Sequence, residues 1–237
     1  MLNRLFSTIK RGSRKIGQGG YTLIEVAAVV AITATLAAVV VPIAVDKVKE
    51  GKAVAAKQEC QALAAAIGGF YKDTGFYPAY NGDAAPNAAS LVYFNVLRSG
   101  NESGAVGVGH DPIGSALKWL NAGNVDLLEN HLVKDNPKNL PNQYRTTNFN
   151  WKGPYSESLA SKRDPWGNNY LVYVGAMHGG ISGTTSGTTG GTTGSLKEYG
   201  WIISAGPNGI LETGVKDKDL VNDDIGVMLF ASETPKG

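Results

Sequence analysis

GYTLIEVAAVVAITATLAAVVVPIAV, residues 20–45, decides how the rest of this chain is read. Residues 21–45 carry one charge, that of Glu25. A helix rises about 1.5 Å per residue, so residues 26–45 alone span roughly 30 Å, the thickness of a bilayer's hydrocarbon core. Ahead of the run stand Arg4, Lys10, Arg11, Arg14 and Lys15 with no acid among them, and then Gly19-Gly20. Bases in that position stay on the cytoplasmic side, so a single pass is expected with the downstream chain outside the cytoplasm. An ordinary secretory signal fits worse. The apolar run is too long for a signal core, and its exit near Pro42-Ile43-Ala44 lacks a small-x-small cleavage site. Glu25 needs its own explanation, because a carboxylate in a membrane helix costs free energy unless it is partnered.

These residues resemble the type IV pilin and pseudopilin family. In that family a dedicated peptidase cuts after a glycine, methylates the new N-terminal amine, and leaves a glutamate at the fifth mature position. The resemblance implies cleavage after Gly20, with Tyr21 as the first mature residue, Glu25 as the fifth, and Pro42 at the family's helical proline. Tyr21 departs from the usual phenylalanine but keeps most of its shape. Glu25 is then expected to pair with the Tyr21 amine of an adjacent subunit, so that an unpaired charge becomes a register-setting contact on assembly. The implied fold is α+β and pilin-like: a long N-terminal helix, half transmembrane and half amphipathic, packed on a small C-terminal antiparallel sheet. The implied partners are a homo-oligomeric filament, the prepilin peptidase, an inner-membrane assembly platform with minor pseudopilins, and the lipid bilayer before assembly.

Composition agrees with an anchor plus one domain. The chain has 237 residues, 43% hydrophobic and 18% charged, enough for one modest core beyond the anchor. The formal charge of +2 invites a nucleic-acid reading, but loss of the five leader bases leaves 17 bases against 20 acids, a net of −3. No nucleic-acid partner is expected. Cys60 is the sole cysteine, so no intrachain disulfide can staple a periplasmic domain. The expected organisation is a leader (1–20), an assembly helix (21–45) and a periplasmic domain (46–237).

Within that domain, Val48, Val54, Leu63, Ile67 and Phe70 recur among charged residues, the pattern of a helix with one face on a core. One helix from residue 21 to about 70 is the expectation, its membrane part followed by an amphipathic part assigned to 46–73. The alternative is two helices broken at Pro42 or Gly51. Cys60 is read as a small packed residue. Gly75 suits a left-handed cap and Pro78 prevents continuation. Residues 79–150 read as an irregular, elaborated region with two short helices, 113–121 and 125–134. The segment Asp164-Pro165-Trp166-Gly167-Asn168-Asn169-Tyr170 contains turn formers and Trp166, expected in the core. It opens the C-terminal sheet (164–237), with strands at 170–174 and 198–204. Residues 179–195, nearly all Gly, Thr and Ser, are expected to be a flexible loop. The wording of this part and of residues 70–78 resembles the major (G-type) pseudopilin of type II secretion systems.

A last constellation is Ser204-Ala205-Gly206-Pro207-Asn208-Gly209-Ile210-Leu211-Glu212-Thr213 with Asn222-Asp223-Asp224-Ile225-Gly226. Oxygen-bearing side chains and carbonyls in a glycine-rich loop suit a hard cation such as Ca²⁺. The resemblance implies calcium held by the Ala205 and Thr213 carbonyls with Asn208, Asp223 and Asp224. Asn208 replaces the family's aspartate, and residues 214–221 look inserted, adding Asp217 and Asp219. An ion here would tie the last loop to the sheet in place of a disulfide.

An enzyme is not expected. His110, His131 and His178 lie far apart without metal-ligand spacing, and no phosphate loop, glycine-flanked nucleophile or Cys/His pair occurs. His110-Asp111 reads as an isolated turn. Two functions remain: a pseudopilus subunit of type II secretion, and a surface type IV pilin for adhesion, motility or DNA uptake.

Overall fold

The computed structural model describes residues 20–80, 94–101, 109–113, 125–146, 150–175 and 199–231. The leader before Gly20 and the Gly/Thr/Ser loop at 179–195 lie outside the described residues, as does most of the helix expected at 113–121. Ile113 itself forms a parallel β-bridge with Ile210. The chain divides into two compact units, Met1–Val48 and Lys49–Gly237.

Helix α1 spans Leu23–Thr74 and runs as one element through both Pro42 and Gly51. It starts two residues later than expected because Thr22 and Glu25 form a capping box. The Glu25 N–H donates to Thr22 Oγ1 (3.3 Å), and the Thr22 N–H donates back to Glu25 Oε2 (2.8 Å). Every residue of 20–51 is exposed, including Ile24, Val30, Leu36 and Val40. Helix α1 is long and apolar enough to cross a membrane, by length and composition. Its hydroxyls stay silent in such a setting: Thr33 and Thr35 donate to the Val29 and Ile32 carbonyls of the preceding turn.

In the second unit the buried residues of α1 are Ala56, Cys60, Leu63, Ala66, Ile67, Phe70 and Thr74. Spacings of three and four residues put them in one stripe. Val48 and Val54, expected on that face, are exposed, and the smaller Ala56 and Cys60 take their place. The Cys60 thiol is packed as expected, and burial pushes its pKa up to about 12. Gly75 ends the helix at φ +75°, its N–H donating to the Tyr71 carbonyl.

Among the described residues five strands form one sheet in the order β2-β1-β3-β4-β5. They are β1 (Val96–Arg98), β2 (Val125–Leu127), β3 (Leu171–Tyr173), β4 (Tyr199–Ser204) and β5 (Ile225–Ala231). Strands β1, β3, β4 and β5 pair antiparallel, but β1 and β2 run parallel, with Leu97 opposite Asp126, so the sheet is mixed rather than antiparallel. Two of its strands come from 79–150. That region also supplies the buried Leu97, Leu128, Leu132 and Tyr144, so it helps build the core as well as the surface. The helix expected at 125–134 is instead β2 followed by a short α2 (Leu128–Leu132).

Both faces of the sheet are covered. Leu97, Val172 and Ile202 meet Cys60, Leu63, Ile67 and Phe70 of α1. Val96, Leu171, Tyr173, Trp201 and Ile203 meet Ala205, Leu211 and Val215 of the loop between β4 and β5. Strands buried on both sides lose polar alternation, which is why Leu171-Val172-Tyr173 and Trp201-Ile202-Ile203 read as unbroken apolar runs. Trp166 is outside both clusters and only half-buried; its turn is held by Asp164, whose Oδ1 accepts the Trp166 and Asn168 N–H groups.

Candidate functional site

The N-terminal site residues lie at the start of α1. Gly20 and Tyr21 precede the helix and are exposed. A Cβ built on Gly20 meets nothing within 4 Å, so the fold itself places no demand for glycine at that position. Glu25 is exposed, and its carboxylate is engaged locally: Oε2 accepts both the N–H and the hydroxyl of Thr22 at 2.8 Å. Pro42 lies within α1. Thr22 was not singled out from the sequence, although Thr-x-x-Glu ahead of an apolar run is the written form of a capping box.

The second site is the loop from β4 to β5. Its two ends meet at Gly206, which adopts φ +65°, and a Cβ there would lie 2.1 Å from the Asp223 carbonyl oxygen. Glycine therefore permits a contact that brings the Asn222-Asp223-Asp224 segment against the turn leaving β4. Across this contact the Asn208 N–H donates to Asp223 Oδ2 (3.1 Å) and its Nδ2 donates to Asp223 Oδ1 (2.6 Å). Asn208 Oδ1 accepts the Ile210 N–H at 2.6 Å. Deeper in the loop, Asp224 Oδ2 accepts the N–H groups of Glu212 (2.9 Å) and Thr213 (2.6 Å). Thr213 Oγ1 accepts the Val221 N–H at 2.9 Å, and Ala205 is fully buried.

Two carboxylate oxygens in this loop are buried without a hydrogen-bond partner, Asp224 Oδ1 and Glu212 Oε2. Burial pushes the Asp224 carboxyl above its usual range; hydrogen bonds from Thr213 and the Glu212 N–H offset part of this, and the Glu212 charge adds to the rise. The donor set is all oxygen, which is the chemistry a hard cation requires. Among the described residues no three His, Cys, Asp or Glu side chains converge as a metal cluster, so carbonyls would have to complete any coordination.

The segment 214–221 is bonded to the rest of the loop and to the sheet. Asp217 Oδ2 accepts the Gly214 N–H at 2.6 Å, and the Asp217 carbonyl accepts the Trp201 indole N–H at 3.0 Å. The Tyr199 N–H donates to the Val215 carbonyl. These bonds, with buried Leu211 and Val215, already tie the loop to the sheet.

Of the three histidines, His178 lies outside the described residues, His110 sits in a turn and His131 lies in the core. His131 is fully buried on α2 between Tyr144, whose hydroxyl meets Nδ1, and Asp126, whose Oδ2 lies 3.1 Å from Nε2. Burial alone would raise the Asp126 carboxyl; hydrogen bonds from His131, Lys138 and Leu127 outweigh it and hold the group below its usual value. His110-Asp111 is a turn as expected, but it is not isolated. Asp111 is buried, paired with Arg98 and bonded by Asn169 Nδ2 at 2.7 Å.

Comparison with protein-family models, curated proteins and solved structures gives no match. The residues and geometry described above therefore carry the functional reading by themselves.

Proposed function

We propose that this chain is a structural subunit of a pilin-like filament, a pseudopilus that helps a type II secretion system export folded proteins. The observation that carries the reading is α1 between Leu23 and Val45: a helical surface of exposed Ile, Leu and Val with one acid near its beginning. Such a surface is stable only in lipid or against other apolar helices. In this reading the bilayer of the inner membrane holds the helix first, with the domain in the periplasm, and neighbouring copies hold it afterwards. Cleavage after Gly20 frees the Tyr21 amine, which pairs with Glu25 of an adjacent subunit. Exposure of Gly20, and the lack of any conformational demand for glycine there, support its being read by a peptidase.

Co-expression with a prepilin peptidase tests this reading. Mass spectrometry should find the mature chain beginning at N-methylated Tyr21, and electron microscopy should find filaments that Glu25→Lys abolishes without unfolding the domain. A leader retained in the presence of the peptidase, or filaments from the charge-reversed variant, would overturn it. Gene deletion should trap exported enzymes in the periplasm; loss of surface fibres instead would assign the chain to a surface pilus.

Calcium belongs to the same reading as a structural ion. The Ala205 and Thr213 carbonyls with Asn208, Asp223 and Asp224 are the expected donors, and the partnerless Asp224 oxygen supports a cation among them. When bound, the ion would supply the positive charge that the buried carboxylate lacks. A chelator should lower the melting temperature of the full chain, and an unchanged value would remove calcium from the proposal.

A further inference from the structure

The oxygens that lack partners in the β4–β5 loop are not the whole set expected from the sequence. Asn208 and Asp223 use their polar atoms on each other and on the Ile210 N–H. Asp224 gives one oxygen to the Glu212 and Thr213 N–H groups and keeps Oδ1 buried and unbonded, in a residue only 5% exposed. Glu212 Oε2 is buried and unbonded as well, on the residue whose own N–H grips Asp224. An ionised carboxylate is an acceptor only, so these two groups cannot satisfy each other. While both groups are ionised, a cation from outside the chain would satisfy both oxygens at once.

Resting on the calcium reading above, we propose that Glu212 is a ligand of the cation, which Glu212 and Asp224 share, and that the Asn208–Asp223 pair braces the loop instead of coordinating. The division follows from which atoms are already used. Ligation by Asn208 and Asp223 would first break the two hydrogen bonds joining them, whereas ligation by Glu212 Oε2 and Asp224 Oδ1 breaks none among those described. Glu212 with Asp224 supplies two carboxylate charges, the same number as Asp223 with Asp224, so the exchange of ligands keeps the charge count that sets affinity in oxygen sites of this type.

The test uses the full chain in detergent micelles, stripped with chelator and titrated with Ca²⁺, with affinity followed by calorimetry and stability by thermal melting. Wild type should gain melting temperature on adding Ca²⁺. Glu212→Gln should weaken Ca²⁺ binding by about tenfold or more through the lost ligand charge. In chelator the same variant should melt at or above wild type, because one of two like buried charges has gone. Asp224→Asn should lose the Ca²⁺ response in the same way. Wild-type affinity in Glu212→Gln would overturn the assignment of Glu212 while leaving calcium in place. A wild-type chain indifferent to Ca²⁺ would overturn both. If Glu212→Gln melted below wild type in chelator yet kept the full Ca²⁺ response, Glu212 would be an ordinary structural acceptor and the proposal would fall.

Discussion

The two units of this chain are incomplete in opposite ways. In residues 20–48 four polar side chains are served locally: Thr22 and Glu25 cap each other, and Thr33 and Thr35 bond back to the preceding turn. Its apolar side chains, by contrast, are all exposed. In the unit Lys49–Gly237 the apolar side is well served, with both faces of the sheet covered, while Glu212 and Asp224 each keep a buried oxygen unbonded. One unit exposes apolar surface, and the other buries two carboxylate oxygens without hydrogen-bond partners. The partners proposed above answer these two features separately.

Substitutions can break or sharpen that contrast. The largest effect is expected at Phe70, fully buried and set edge-on to Tyr144 and Tyr155 at centroid distances of 4.9 and 5.5 Å. Phe70→Ala should cost about 3–5 kcal/mol in denaturant unfolding of the domain. Leu36→Ala, on the exposed helix, should leave that unfolding unchanged; equal losses would mean the two units are not different in kind.

A smaller effect is expected at Asp126. Its folded pKa lies below its ordinary value, so the stabilisation it gives is present above the unfolded pKa, about 3.9, and drains as the pH falls through the folded value. Asp126→Asn should cost about 1–3 kcal/mol at neutral pH by weakening the bonds to His131, Asn130 and Lys138. The variant's melting temperature should also depend less on pH below about pH 4 than that of wild type. A parallel pair of acid curves would show that Asp126 is not the acid-sensitive group.

The smallest effect is expected from Thr22→Ala. Loss of the cap should cost about 1 kcal/mol, confined to the first turn of α1. Hydrogen exchange in micelles should speed up at the amides of Glu25 and Val26 and stay constant in the sheet. Protection unchanged in that turn would remove the capping box as an element of the helix start.

Much of the scaffold was legible because single residues carried strong local demands. Gly75 marked the end of α1, Asp164-Pro165 and Gly167-Asn168 marked the turn before β3, and the apolar run after Glu25 marked a membrane-length helix. Strands β1 and β2 were not legible. At three residues each they are too short to show alternation, and Val125, Leu128 and Leu132 have helical spacing, so the pairing of Val125 with Val96 overrode the local pattern. The back face of the sheet was hidden for a similar reason. Leu211 and Val215 are single apolar residues among polar ones, and only the fold shows that they cover Trp201 and Ile203. In the candidate ion site the oxygen-rich loop could be read, but which oxygens lack partners depends on hydrogen bonds that no spacing encodes.

The backbone contact at Gly206 has a consequence for substitution. With the Asp223 carbonyl where a methyl group would otherwise sit, the strand leaving the sheet and the strand returning to it are clamped at one point. Any side chain at position 206 would force the two apart, so Gly206→Ala should loosen the loop at both of its ends at once.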